Sequence, residues 1–125
     1  MKRRLLHELA RCERGGTAVE FALLLPAFAS LIVGTLYAGL AVYSAAGLHS
    51  AVEQAARCYS VNATTCGSSS AAVTYAQSQY RGINSPSFTA STASCGHQVS
   101  GSVTVGLNDM FANLSIPLTA TACFP

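Results

Sequence analysis

The chain has 125 residues, which allows at most one small domain beside a long helix. Only 10% of the residues are charged, against about 25% in a typical soluble domain, so the composition argues against an ordinary soluble globular protein. Residues 1–15 carry five basic and two acidic side chains, a net charge of +3, and residues 16–125 carry two basic and three acidic ones, a net charge of −1. A basic tail ahead of an apolar segment more often sets membrane orientation than binds nucleic acid, so we expect no nucleic-acid partner.

An uncharged, mostly apolar segment follows the basic leader and runs from Phe21 to Tyr43. About 20 apolar residues cross the hydrocarbon core as a helix, so we predict a transmembrane helix over residues 16–43. Pro26 lies about one turn inside the segment, where transmembrane helices tolerate proline. Because positive charge stays on the cytoplasmic side, we expect a single-pass protein of the cytoplasmic (inner) membrane. Its N-terminus is then cytoplasmic and its C-terminal domain is periplasmic or extracellular.

Residues 44–59 are predicted to continue this helix as an amphipathic extension. Apolar residues recur at spacings of three and four, which is the period of a helix with one buried face. The apolar stripe consists of Leu48, Val52, Ala55 and Tyr59, and the intervening polar residues are His49, Glu53, Gln54 and Arg57. We therefore expect the stripe to pack against a small domain formed by residues 60–125.

The first part of that domain is predicted to be a loop followed by a short helix. Residues 62–70 are rich in Ser, Thr, Asn and Gly, which is typical of a loop. Residues 71–80 fit a helix capped by Ser69 or Ser70. Gly82 is the expected helix terminator.

After Pro86 the pattern changes to the alternation of strands. Strands are predicted at Ser102–Leu107 and Ile116–Ala122, with His97–Val99 extending an earlier strand from Phe88. Turns are predicted at Asn108-Asp109 and at Ala112-Asn113, and Pro117 indicates an edge strand or a strand start. The predicted fold class is therefore α+β. A long N-terminal helix, transmembrane in its first half and amphipathic in its second, carries a small antiparallel β-sheet domain.

Cysteine positions agree with this topology. Cys12 lies in the leader, and the other four lie beyond the membrane helix, where disulfides persist. Four cysteines allow three pairings, and sequence spacing favours Cys58–Cys66, which closes the loop after the helix, and Cys95–Cys123, which ties the last strand to an inner one. A zinc site is the alternative, but Cys95-Gly-His97 has no second ligand pair in the sequence. We expect no metal and no cofactor.

An enzyme is the least favoured class. A catalytic site needs a nucleophile, a base and an orienting group that meet in a pocket. Beyond the membrane segment the candidate bases are His49 and His97 and the candidate acids are Glu53 and Asp109, and no recognisable motif surrounds any of them. We expect His97 to be a surface residue of a strand, and we predict that the protein is not an enzyme.

The junction between leader and apolar segment looks like a prepilin-type processing site. A secretory signal peptide has its cleavage site after the apolar segment, whereas here Gly15 and Gly16 precede it, followed by Glu20 and Phe21. A cut between Gly15 and Gly16 makes Glu20 the fifth residue of the mature chain, which matches the prepilin pattern better than a cut after Gly16. The alternative is that Glu20 is an interfacial residue of an ordinary signal anchor.

The stretch Arg14–Pro26 resembles the start of the TadE/TadF-like family, the pseudopilins or minor pilins of tight-adherence (Flp-type) pilus systems. It shares a basic leader, a Gly-x-x-x-x-Glu-Phe-like site and a leucine-rich helix with an early proline, and the alanine-rich stretch Ala51–Arg57 resembles the family's helix extension. The resemblance implies a pilin-like fold. It also implies that a prepilin peptidase cuts between Gly15 and Gly16, removing leader residues 1–15, and that Glu20, with Phe21 as its aromatic neighbour, serves processing or assembly.

The function implied by the resemblance is that of a minor pilin. The mature subunit is then drawn from inner-membrane lipid by the pilus assembly platform, packs with other major and minor pilins, and primes assembly or serves adhesion at the tip. A domain as large as residues 60–125 argues for a minor component, because the major pilin of such systems is much shorter. The alternative is a single-span, signal-anchored membrane protein that keeps its leader and has a periplasmic binding domain without a pilus role.

Overall fold

The computed structural model describes residues 16–109 and 112–125. Their secondary structure consists of three helices followed by three strands. In chain order these are α1 (Gly16–Val61), α2 (Ala63–Cys66), α3 (Ser69–Gln79), β1 (Ser87–Ala93), β2 (Gly96–Asp109) and β3 (Ala112–Phe124). A long N-terminal helix followed by a small antiparallel sheet confirms the predicted α+β class.

The chain divides into two compact units, Met1–Leu36 and Tyr37–Pro125. In the first unit the structure describes only helix α1 from Gly16 onward, and each of these residues is exposed. The second unit contains the rest of α1, the two short helices and the sheet. The leader, residues 1–15, lies outside the described residues.

The C-terminal half of α1 supplies the helix side of the core. Leu48, Val52 and Ala55 of the predicted stripe are completely buried, and Tyr59 is half-buried. The polar residues His49, Glu53, Gln54 and Arg57 are all exposed, as the helical period predicts. The buried face is wider than the predicted stripe, because Ser44, Ala51 and Ala56 are buried as well.

The segment predicted as a loop contains the one-turn helix α2. The Asn62 side chain accepts a hydrogen bond from the Thr65 backbone N–H at 3.1 Å and caps this turn. Asparagine is a favoured residue at that position because its side chain satisfies a free N–H group. Residues 62–70 are therefore partly helical.

The predicted ends of α3 were both wrong. The N-cap is Ser68, whose Oγ accepts from the Ala71 N–H at 3.2 Å. Ser69 is already helical, while Ser68 has the extended backbone that a cap requires. At the other end Tyr80 takes an extended conformation directly after Gln79, so the helix ends before Gly82 is reached.

The three strands form an antiparallel sheet in the order β1-β2-β3. In β1–β2 the register pairs Ser87 with Ser102, and in β2–β3 it pairs Asp109 with Ala112. His97–Val99 begins β2 and does not extend β1, because the chain turns at residues 94–95. The predicted turn residues 108–109 and 112–113 are paired strand residues, and the connection between them, residues 110–111, lies outside the described residues.

Pro117 lies in the middle of β3, which is an edge strand. It faces Thr104 of β2. An edge strand needs ladder hydrogen bonds on one side alone, so a residue without an N–H is tolerated there. The edge position predicted from Pro117 is confirmed.

One face of the sheet packs on α1 and α3. Phe88, Val99, Val103 and Ala120 join the buried residues of the two helices in a single cluster. Gly101 makes this packing possible, since a Cβ at that position would lie 2.6 Å from the Phe88 ring and 2.9 Å from Leu48 Cδ1. The opposite face is polar, and there Ser100 and Thr121 share a hydrogen bond of 3.0 Å across the strands.

The segment between α3 and β1 lies against α1. The buried Ser44 Oγ accepts a hydrogen bond from the Ile83 N–H at 3.3 Å. A Cβ on Gly47 would lie 3.4 Å from the Gly82 nitrogen, so a small residue lets the two backbones approach. Asn84, with a φ of 64°, donates from its side chain to the Thr104 carbonyl at 2.7 Å and so joins this segment to β2.

Candidate functional site

The candidate processing site lies at the N-terminal end of the described chain. Gly15 and the leader lie outside the described residues, and α1 runs from Gly16. A Cβ placed on Gly16 would find no heavy atom within 4 Å. Glu20 and Phe21 lie one turn further on and are both exposed. This turn of the helix is therefore open to a protease or to another chain.

Glu20 is chemically isolated along the helix. It is the one Asp, Glu, Lys or Arg residue between Gly16 and Val52. The positive end of the helix dipole favours a carboxylate near the N-terminus. In lipid, however, an unpaired carboxylate costs about 2.5–3.5 kcal/mol on insertion scales. A cationic group on a neighbouring chain would offset that cost.

The first half of α1 presents an apolar surface on all sides. Within the described residues, α1 is the one helix long and apolar enough to cross a membrane. The large side chains from Val19 to Leu36, including Leu23 and Phe28, are exposed. The hydroxyls of Ser30 and Thr35 each donate to the backbone carbonyl three residues earlier, both at 2.8 Å. These two hydroxyls are thus satisfied inside the helix, as a lipid environment requires.

Two disulfides fasten the domain, and they join the pairs that spacing favours. Cys58 and Cys66 connect the last turns of α1 to α2, with their Cα atoms 5.7 Å apart. Cys95 and Cys123 connect the β1–β2 turn to the end of β3, with a Cα separation of 6.2 Å. The thiols that would have formed a zinc site are therefore bonded to each other. No cluster of three His, Cys, Asp or Glu residues suited to a metal ion occurs within residues 16–109 and 112–125.

His97 is not the surface residue that the sequence suggested. Its ring is partly buried against Tyr59 of α1, with the ring centroids 4.1 Å apart. Its Nδ1 atom is buried without a hydrogen-bond partner. The register places His97 opposite Phe124, at the end of the sheet where the C-terminal end of α1 passes. The His97 ring therefore packs against the Tyr59 ring and does not point freely into solvent.

A shallow groove of about 330 Å³ lies where the last turns of α1 pass β3. Its walls combine small apolar, polar and charged side chains. They are Glu53, Gln54, Ala56, Arg57, Ala122, Cys123 and Phe124. Neither of the candidate bases, His49 and His97, lines it, so the groove does not assemble the acid and base that the sequence offered.

Several residues that position the domain had no motif in the sequence. Ser44 is the first residue of the predicted amphipathic extension, where no pattern singled it out, yet it accepts a tertiary hydrogen bond from Ile83. Gly101 lies in an alternating strand, where nothing local marks it as the contact point for Phe88 and Leu48. Asn84 stood in an Asn-Ser-Pro turn, and that turn signal is the one local indication of its role.

The sequence model of the family described as TadE-like protein matches residues 15–57. The match starts at the first glycine of the candidate processing site and ends at Arg57 in the amphipathic half of α1, so it covers about a third of the chain. Comparison with curated proteins and with solved structures gives no significant match. The resemblance to the TadE-like family is confirmed over residues 15–57. One apolar N-terminal helix in such a protein is consistent with membrane anchoring.

Proposed function

We propose that this TadE-like protein is a minor pilin, or pseudopilin, of a Tad (type IVb-like) pilus. The observation that carries the proposal is the family match over residues 15–57, which includes Gly15, Gly16, Glu20 and the whole apolar segment. The precursor inserts in the cytoplasmic membrane with residues 1–15 inside and the domain outside. A prepilin peptidase then cuts between Gly15 and Gly16. The chain is thus a substrate of processing rather than an enzyme.

The exposed N-terminal half of α1 supports assembly by helix packing. Its large apolar side chains have no partner within the described chain, so lipid covers them before assembly and other pilin helices cover them afterwards. Glu20 acts in this step. Cutting before Gly16 creates an α-amino group, and the Gly16 amine of one subunit can pair with the Glu20 carboxylate of its neighbour when helices stack in staggered order.

The domain carries the specific task of the subunit. Residues 60–125 add a disulfide-fastened sheet to the helix, so a subunit at the tip or at the start of a filament presents this sheet outward. Its partners in this role are the prepilin peptidase, the assembly platform and the other major and minor pilins. Priming of assembly and adhesion at the tip are the two tasks that we assign to it.

The first experiment determines the N-terminus. We would express the full chain with and without a prepilin peptidase and measure the intact mass and N-terminal sequence of the membrane-bound protein. The expected result is a peptidase-dependent chain that starts at Gly16. Gly15→Leu is expected to abolish the cut, because glycine lacks the Cβ that a narrow protease site would exclude.

The matched control is Gly34→Leu in the same helix. Gly34, like Gly16, has open space where a Cβ would be placed, so added bulk there should leave both insertion and cleavage unchanged. A chain that begins at Met1 in both strains would refute the processing step. It would leave the alternative, a signal-anchored membrane protein with a periplasmic binding domain and no pilus role.

A second experiment tests Glu20. Glu20→Gln keeps the size of the side chain and removes its charge, so the domain is expected to fold normally and the cut to persist. Recovery of the subunit in sheared pili is expected to fall, because the Gly16 amine of the neighbour loses its partner. Undiminished recovery would remove Glu20 from the proposed assembly contact.

A further inference from the structure

The β2–β3 hairpin extends beyond the rest of the sheet. β1 pairs with β2 only from Ser87 opposite Ser102 to Ala93 opposite Gly96. β2 and β3 continue as a two-stranded ribbon to the pair Asp109 and Ala112. Among the described residues, no third strand therefore lies beside the part of the ribbon that includes Val105 and Ile116.

One face of this ribbon is apolar and its outer part is exposed. Successive residues of a strand point to opposite faces, so Ile116 and Leu114 share a face with Leu118 and the buried Ala120. Val105, paired with Ile116, is still 3% exposed, but Ile116 is 39% and Leu114 is 55% exposed. On the other face Asn113 and Ser115 are polar and exposed. The ribbon end is therefore amphipathic.

Contacts along α1 show in which direction the ribbon points. Tyr59 packs on His97, with ring centroids 4.1 Å apart, and Leu48 lies against Gly101. These contacts are separated by about 13 Å along the strand and by about 16 Å along the helix. The two distances are similar, so β2 runs nearly antiparallel to α1. Within the second unit, the ribbon therefore runs from the Tyr59 end of α1 toward its Tyr37 end.

The rise per residue of the strand and of the helix also shows which turn of α1 lies beside the exposed ribbon residues. Val105 and its partner Ile116 lie about 13 Å beyond Gly101. That distance corresponds to about nine helical residues before Leu48, which is the turn containing Leu40. Partial burial of Tyr37 and Ala41, next to exposed neighbours, agrees with a covering strand at this level. Leu40 itself is exposed and belongs to the segment assigned to the membrane.

We propose that the end of the β2–β3 ribbon, through Leu114 and Ile116, binds the outer surface of the lipid bilayer that holds α1. The lipid surface is the occupant because these side chains continue the exposed apolar surface of the helix at the level of Leu40. The inference rests on the membrane anchoring in the proposed function. The ribbon thereby fixes the tilt of the domain on the membrane before the subunit is taken into a filament.

The test uses the absence of tryptophan from the sequence. Leu114→Trp and Ile116→Trp each place one fluorophore on the exposed apolar face. The full chain is reconstituted at a low protein-to-lipid ratio in phosphatidylcholine vesicles, with and without lipid brominated on the upper part of an acyl chain. Zwitterionic lipid is chosen because Asp109 is the one charged residue of β2 and β3.

Three further single-tryptophan variants are the controls. Ser115→Trp lies between the two probes on the opposite face of the ribbon. Val61→Trp lies at the other end of α1 and is 68% exposed. Val33→Trp lies in the apolar segment and reports insertion of the helix, which the proposed function requires.

The expected result is quenching of Leu114→Trp and Ile116→Trp by brominated lipid at least about twofold stronger than that of Ser115→Trp and Val61→Trp, because an interfacial apolar face is buried by several ångströms. Equal quenching of probes and controls, with Val33→Trp strongly quenched, would overturn this inference and leave the anchoring intact. Probes protected from both aqueous iodide and brominated lipid would assign the ribbon to a protein contact and also overturn it. An unquenched Val33→Trp would refute the anchoring and the inference together.

Discussion

The two halves of helix α1 have the same backbone and opposite surroundings. In the N-terminal half Leu23 is 73% exposed and the large apolar residues around it are similarly open. In the C-terminal half Leu48 and Val52 are completely buried beneath the sheet. Both halves are helical over one uninterrupted range, Gly16–Val61. The apolar residues of the two halves therefore differ in exposure and not in backbone conformation, and the sheet covers only those of the second half.

Polar side chains differ between the halves in the same way. Ser30 and Thr35 in the first half direct their hydroxyls to carbonyls of their own helix. Ser44 in the second half accepts from Ile83, which is distant in sequence. A helix surrounded by lipid must satisfy its polar groups internally, whereas a helix against a domain can use tertiary partners. The exposed half of α1 therefore bonds its hydroxyls to its own backbone, whereas the covered half uses a hydroxyl to bind another segment of the chain.

The largest expected effect is the loss of stability when the same substitution, Leu to Ala, is made in the covered half and in the exposed half of α1. Leu48→Ala is expected to lower the free energy of unfolding by about 2–5 kcal/mol, because it leaves a cavity against Phe88 and Gly101. Leu31→Ala, the same change at a side chain 63% exposed in the first half, is expected to change it by less than about 0.5 kcal/mol. Urea unfolding of the full chain in detergent micelles, followed by tyrosine signals, measures both. Similar losses at the two positions would contradict the division.

The second prediction compares the disulfides, both of which lie in the C-terminal unit. Removing Cys95–Cys123 by a double change to Ala is expected to lower the unfolding free energy by about 1 kcal/mol more than removing Cys58–Cys66. The first bridge closes 28 residues and the second closes 8, and the entropy lost by the unfolded chain grows with loop length. The same urea titration, with Cys12→Ala as control, measures the difference. A larger loss for the shorter loop would show that native packing of the buried Cys66 outweighs loop entropy.

The smallest effect concerns Ser68, the N-terminal cap of α3. Ser68→Ala is expected to cost about 1 kcal/mol, since the Ala71 N–H loses its acceptor. The neighbouring Ser69→Ala removes a hydroxyl from an exposed residue inside the helix and is expected to cost almost nothing. Thermal unfolding of the two variants separates them. Equal destabilisation by the two changes would contradict the assignment of Ser68 as the cap.

Local patterns predicted the parts of the fold that depend on neighbours in sequence. The uncharged run from Phe21 to Tyr43 and the spacing of Leu48, Val52 and Ala55 were enough to predict one helix with two characters. The alternation of Val103 and Val105 with polar residues was enough to predict a strand. These features follow from helical and strand periods, which act over a few residues and need no tertiary information.

Predictions that depended on a single residue's surroundings were less successful. Three consecutive serines, Ser68–Ser70, are equally good caps by residue type, and backbone conformation selected Ser68. His97 was expected to be a surface residue of a strand, but Tyr59 from a distant part of the chain packs against its ring. Gly82 looked like a helix terminator, but Tyr80 already leaves the helical conformation, and Gly82 instead lies beside Gly47 of α1.

By itself the sequence determined the candidate processing site, the apolar half of α1, the amphipathic stripe and the positions of the cysteines. Each is encoded by residues close together in the chain, where the order of charge, glycine and apolar side chains suffices. Only the tertiary structure decided that Gly101 lies against Phe88 and Leu48 and that Asn84 bonds to β2. These depend on strand register and on close packing between distant segments, in which every contact is constrained by all the others.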